Sequence, residues 1–352
     1  MGRFAFAKRR SAALTANIAN PHRRINFMSP FNTVSSATVS SIHSLAHSRE
    51  FEDASPLKRL NLAELLTQPR PKISYLLPGI LPGSVGAVVG PGGSGKTMIQ
   101  LQNSMALALG MAPLANPKSS ASLFPAPPRP FKVAFISGEE TSLAVTDRLH
   151  PILDHLLTAK IVDSRLTFRA DYIELLNRNL DIFPANGVDL TLIRRGVRTS
   201  MIDDVLRRIE GCDVVFIETV CRLHDGDENT TAAMSAIVGV LEYLAQRSGA
   251  AVIATHHTAK GATGHEPSAR GSSAFIDNVR WLANVIPMLP EEAQNCGIDE
   301  LQCKSFVRWE IRKANYMAPT AAVWLRRNSD GVLGVVGPQS QRQSQRKSRH
   351  AS

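Results

Sequence analysis

The sequence predicts an α/β protein: a mostly parallel sheet with helices on both faces and antiparallel strands added at the C-terminal end. Three observations lead there. Short runs of β-branched and apolar residues alternate with stretches of helical periodicity. A glycine-rich loop stands at a strand-to-helix junction, "VGAVVGPGGSGKT" (85–97). After Arg270 the texture shifts to "FVRWEIRKANY", "TAAVWLRR" and "GVLGVV", which read as strands joined without intervening helices.

The elements follow in order. "VGAVV" (85–89) reads as a buried strand and "KTMIQLQNSMALALG" (96–110) as a helix ended by Gly110. "MAPLANPKSSASLFPAPPRP" (111–130) is proline-rich with no helical period, which predicts a surface loop or insertion. "KVAFIS" (132–137) is the next strand, and "SLAVTDRLHPILDHLL" (142–157) an amphipathic helix. "CDVVFIE" (212–218) is a strand, "TAAMSAIVGVLEYLAQRS" (231–248) a helix and "AAVIAT" (250–255) a strand. Strands of this length and composition, alternating with helices, suit a parallel sheet buried on both faces.

The 352 residues are 43% hydrophobic and 20% charged, enough to bury a sizeable core. No apolar run approaches 18 residues, so no membrane partner is expected. The four cysteines show no zinc-like spacing and are expected to be reduced, buried thiols. The formal charge of +10 is unevenly placed. Residues 1–49 carry seven Lys/Arg and no acid, and residues 338–352 carry four and no acid. What remains between them is nearly balanced, with 29 basic and 30 acidic residues. The expected organisation is therefore a basic, mostly disordered extension (1–70), a folded domain (71–337) and a basic, disordered tail (338–352). Such ends suit a polyanion or are simply solvated. The Arg- and Ser-rich leader also fits an organellar import segment, or a start at Met28, beside the expectation of a bacterial cytoplasmic protein.

Gly90, Gly92, Gly93, Ser94, Gly95, Lys96 and Thr97 fit the phosphate-loop pattern G-x-x-x-x-G-K-[ST]. Backbone N–H groups cradle a phosphate, Lys96 reaches the β and γ oxygens, and Thr97 offers its hydroxyl to Mg²⁺. The implied ligands are ATP and Mg²⁺. Glu218 ends the strand "DVVFIE", where a second metal-binding acid is expected; most such strands end in Asp. "FISGEET" puts Glu139 and Glu140 just past a strand, with Glu139 read as the base for water and Glu140 as its flank. His256 and His257 end the strand "VIATHH", and only one can face the phosphates.

In order, "GAVVGPGGSGKT", "VAFISGEET…RLH", "DVVFIETVCRLH", "VIATHHTAKG", "ARGSSAFIDNVRW" and "RKANYMAP…WLRR" resemble the RepA-type hexameric replicative helicases of broad-host-range plasmids, within the RecA-like P-loop ATPases. The resemblance runs from about Leu76 to Gly337. It implies a homo-hexameric ring that binds ATP between neighbours and moves along single-stranded DNA. It also implies Glu139 as catalytic glutamate, His257 as γ-phosphate sensor and Arg280 as an arginine finger acting on the neighbour's ATP. Arg148 and Tyr316 match positions that stack on adenine. Lys260 and Arg270, in the loop "AKGATGHEPSARGSS" (259–273), are expected to touch DNA in the ring channel. The other channel candidate, "CRLHDGDENT" (221–230), carries three acids and is not expected to be the main phosphate contact. No primase-like or helix-turn-helix segment is evident, so a replication initiator, loader or primase is an expected partner. A RecA-like mediator of recombination or repair that binds DNA without unwinding fits the same residues.

Overall fold

A computed structural model of the chain describes residues 59–116, 121–158, 168–258, 273–318 and 320–336. The chain divides into two compact units, Met1–Pro71 and Lys72–Ser352. The described part of the first holds one short helix, α1 (Leu62–Thr67), capped by the Asn61 side chain. The expectations for residues 1–58 and 338–352 lie outside the described residues.

The second unit is built on a nine-stranded sheet. Its elements are β1 (Val85–Gly90), α2 (Lys96–Leu109), β2 (Val133–Ser137), α3 (Ser142–Thr158), α4 (Arg169–Asn179) and β3 (Leu180–Pro184). There follow a small hairpin, β4 (Ile193–Arg194) and β5 (Val197–Arg198), then α5 (Met201–Arg208), β6 (Val214–Glu218) and a 3₁₀ turn at Val220–Arg222. The chain continues through α6 (Thr231–Ser248), β7 (Ala251–His257), α7 (Ser273–Asn278), β8 (Trp281–Pro287), α8 (Pro290–Asn295) and α9 (Glu300–Cys303). It closes with β9 (Phe306–Ala314), β10 (Val323–Arg327) and β11 (Leu333–Val335).

The strand order is β11-β10-β9-β8-β1-β7-β6-β2-β3. The six strands from β8 to β3 are parallel, and β9, β10 and β11 add antiparallel pairs. The expected α/β class with C-terminal antiparallel strands is therefore observed. One strand was not anticipated: β8 pairs parallel with β1, and the antiparallel addition begins after it, at β9.

β1, β2 and β6 are buried along their whole length, because helices cover both faces and leave no solvated side to alternate with. Two apolar layers result. One packs α2, α3 and the antiparallel strands on one face, and the other packs α5, α6 and α7 on the opposite face. α2 is buried almost all round, the pattern of a helix enclosed by protein. Gln102 finds its partners inside: it accepts from the Leu333 N–H at 2.9 Å and donates to the Leu333 carbonyl at 2.7 Å. Gly110 ends α2 at φ 73°, a left-handed cap.

The proline-rich segment 111–130 departs from the expected surface loop. Its described residues Leu114 and Phe124 are buried, Phe124 meets Trp309 edge-on, and Leu114 and Asn116 bond the backbone of Val335. The segment covers the outer edge of β11, a place where an unpaired strand otherwise needs protection. The cysteines also depart in part. Cys212 and Cys303 are buried, but Cys221 is exposed and Cys296 half-buried, both standing in turns just past an element.

Candidate nucleotide site

The site is assembled at the C-terminal edge of the parallel strands. β1 delivers the glycine loop, β2 delivers Glu139 and Glu140, β6 ends on Glu218, and β7 ends on His256 and His257. In parallel sheets this is the edge where ligands bind.

The loop is shaped by what its glycines permit. A Cβ at Gly90 would stand 2.3 Å from the Val285 carbonyl oxygen, so β1 can pass β8 only with glycine there. Gly95 has φ 97° and leads into α2. Gly92 and Gly93 face open space. Ser94 Oγ is buried and lacks a hydrogen-bond partner among the described residues. An open cradle at the start of a long helix, with one orphaned hydroxyl, fits a phosphate group.

Lys96 is 4% exposed. Its ammonium donates to the carbonyls of Gly90 (2.8 Å) and Pro91 (2.9 Å) and to Nδ1 of His257 (3.2 Å). Burial pulls its pKa down to about 8, against the opposing pull of Glu218 and Glu139. Thr97 donates its hydroxyl to Glu218, whose other oxygen accepts from Ser137 at 3.2 Å. Burial raises the Glu218 pKa, and these two hydrogen bonds oppose the rise. Thr97 and Glu218 thus meet although 121 residues separate them. A hydroxyl against a carboxylate, both oxygen donors, fits Mg²⁺.

His257 Nε2 lies 3.6 Å from Glu139 Oε2. Burial and the nearby Lys96 lower the His257 pKa, which favours a neutral ring accepting from Lys96. His256 points the other way. It is buried 5.2 Å from Phe275, and burial drives its pKa to about 4. Glu140 forms an ion pair with Arg148 at 2.8 Å.

Arg280 and Tyr316 stand at the opposite edge. The Arg280 N–H donates to the carbonyl of Val85, the first residue of β1, and its own carbonyl accepts from Asn315. Tyr75 donates to the Tyr316 carbonyl beside it. Gly90 lies five residues along the strand from Val85, about 16 Å at 3.3 Å per residue. Tyr316 therefore stands away from the phosphate loop of its own chain, whereas Arg148, on α3, pairs with Glu140 beside that loop's edge of the sheet. Both Arg280 and Tyr316 are exposed. Lys260 and Arg270 lie outside the described residues.

One cation at the loop has no role in the sequence reading. Arg327, the last residue of β10, brings Nη2 to 3.5 Å from the Gly93 carbonyl, and a Cβ on Gly95 would stand 2.7 Å from that nitrogen. It belongs to the quoted stretch "WLRR", but no spacing rule connects a residue there with a loop more than 230 positions earlier.

Taken as geometry, the arrangement is that of a P-loop nucleoside triphosphatase. A family model described as an AAA domain matches residues 52–263, more than half of the chain. The chain belongs to that family, and ATP binding and hydrolysis, in general with Mg²⁺, are the chemistry it carries. The strands β8 to β11 lie beyond the matched residues.

Proposed function

We propose that the protein is a DNA-dependent ATPase motor that assembles as a ring and unwinds duplex DNA while moving on a single strand.

 The observation that carries this reading is the distance between Arg280 and its own phosphate loop. An exposed guanidinium at the N-terminal edge of β8, about 16 Å of strand away from Gly90, cannot serve the nucleotide held by the same chain. It suits the nucleotide of a neighbour, where a cation supplied in trans stabilises charge on the transferred phosphoryl group. Tyr316, on the same edge, reaches the base from the neighbour's side while Arg148 approaches from within the chain. Each site is then complete only between two copies, and a six-membered ring closes the series.

In this reading Lys96 exchanges the Gly90 and Pro91 carbonyls for the β and γ oxygens of ATP. Glu139 takes a proton from a water whose oxygen attacks the γ-phosphorus. The bond to the β–γ bridging oxygen breaks, leaving ADP and phosphate. Thr97 and Glu218 are the residues that would hold Mg²⁺, which neutralises charge on those oxygens when bound. His257 touches both Lys96 and Glu139 and so feels whether the γ-phosphate is present. Lys260 and Arg270 supply DNA contacts in the channel.

The test is ATP-driven displacement of a labelled strand from a forked duplex, wild type beside Lys96→Ala. Displacement by the wild type alone supports the motor. ATPase stimulated by single-stranded DNA without displacement points instead to a mediator that does not unwind, or to a missing loader. Absence of any DNA effect sinks the reading.

A further inference from the structure

The β4–β5 hairpin reads Ile193-Arg194-Arg195-Gly196-Val197-Arg198, three arginines and no acid. Its turn is formed by Arg195 at φ 49° and Gly196 at φ 77°. Two successive positive φ values make the tight hairpin turn in which Asn, Asp or Gly is favoured at the first position. An arginine there goes against the turn's own chemistry. It is held by Asp225, whose two carboxylate oxygens accept from the Arg195 N–H at 2.9 and 3.2 Å. The guanidinium of Arg195 is exposed and has no hydrogen-bond or ion-pair partner among the described residues. Arg194 pairs with Asp189, and Arg198 lies 4.4 Å over the ring of Tyr243.

The acids of the neighbouring loop do not cancel this charge fully. Asp225 is occupied by backbone, and Asp227 accepts from Asn229. A free guanidinium suits a phosphate oxygen, and a guanidinium plane backed by an aromatic ring suits a stacked base.

The hairpin is also tied to the catalytic edge. The N–H groups of Leu192 and Ile193 both donate to the Leu223 carbonyl. Two residues earlier, Cys221 Sγ lies 3.8 Å from Oε1 of Glu139, and Arg222 packs so closely on Gly138 that a Cβ there would stand 3.1 Å from it. A short, continuous stretch of chain therefore joins the hairpin to the proposed base.

We propose that the β4–β5 hairpin, through Arg195 and Arg198, binds the sugar-phosphate backbone of single-stranded DNA and transmits that contact to Glu139 along Leu223–Cys221. This rests on the DNA-dependent reading above and adds a contact that the sequence did not assign. The loop 221–230 then acts as the support of the contact, with Asp225 turned to holding the hairpin.

The test uses the full chain and Arg195→Asn, a change that the turn itself favours and that removes the guanidinium. Binding of a fluorescent oligothymidylate is followed across a salt series, with ATPase measured with and without the oligonucleotide. The expected result is a salt slope shallower by about 0.7 and an affinity lower by roughly 3- to 10-fold. Basal ATPase stays unchanged, and stimulation at saturating DNA is reduced. Arg195→Lys keeps most of the slope. Wild-type slope and affinity in Arg195→Asn overturn the hairpin contact while leaving the DNA-dependent reading standing. A wild-type protein that binds no oligothymidylate overturns both. Weakened binding with stimulation unchanged at saturating DNA keeps the contact and overturns its link to Glu139.

Discussion

The ammonium of Lys96 lies 3.2 Å from Nδ1 of His257, so the cation of the phosphate loop is held by the end of β7. Its pKa of about 8 means that it begins to lose its proton in mildly alkaline solution. Bound phosphates favour the charged form and return the proton. Nucleotide affinity is therefore expected to fall as pH rises above about 8, with proton uptake on binding. Stability of the free protein moves oppositely. The unfolded lysine holds its proton up to about 10.5, so the unfolded state binds more protons between about pH 8 and 10.5, and the Lys96 contribution rises with pH there. Calorimetry in two buffers, and denaturation of wild type against Lys96→Met, check both signs.

Glu218 joins Thr97 to Ser137 at the end of β6. Glu218→Gln keeps a similar shape and removes the charge. Turnover is expected to fall roughly 100- to 1000-fold, the scale of losing one preorganised electrostatic contact, while nucleotide binding in EDTA stays near wild type. Steady-state ATPase and a fluorescent-nucleotide titration read these separately.

Arg280→Ala is expected to bind ATP normally and to lose about 1000-fold in turnover. Lys96→Ala is inactive for the converse reason, since it keeps Arg280 and loses its own phosphate contact. Mixing the two variants should restore part of the activity, because some interfaces then combine an intact loop with an intact arginine. A mixture as inactive as its components would remove Arg280 from the neighbour's site.

Arg327 reaches the Gly93 carbonyl from β10. Removing it with Arg327→Ala is expected to raise KM for ATP roughly 10- to 100-fold, in the range of a hydrogen bond to a charged group, with kcat little changed. An unchanged KM would leave the residue a packing role beside Gly95.

Gly90→Ala is expected to destabilise the fold by about 1–3 kcal/mol, since the new Cβ meets a backbone oxygen that cannot rotate away. Urea denaturation measures the loss.

Much of this site was legible from local pattern. The strand-loop-helix at 85–109 and the strand ends at Glu218 and His257 declare themselves, because burial on both faces forces unbroken apolar runs that stop where chemistry begins. β8 was harder. Trp281–Pro287 has no glycine loop or flanking helix pattern to announce it, and its parallel partner, β1, lies nearly 200 residues earlier. The segment 111–130 was misread for a related reason: proline excludes regular structure but says nothing about burial, and Leu114 and Phe124 find cover only on strands made much later. Arg327 and the β4–β5 hairpin depend wholly on tertiary placement.

The position of β1 has a consequence for biosynthesis. It is the first strand of the sheet to leave the ribosome, yet it pairs only with β7 and β8, beginning at Val85 with Val252 and at Gly86 with Trp281. Until those distant segments emerge, β1 has no neighbour to hydrogen-bond, and pairing across such separations is slow. A nascent chain halted before Ala251 would carry the whole glycine loop and no nucleotide site. Its apolar strand would meanwhile be exposed to chaperones, and to other chains in the same condition.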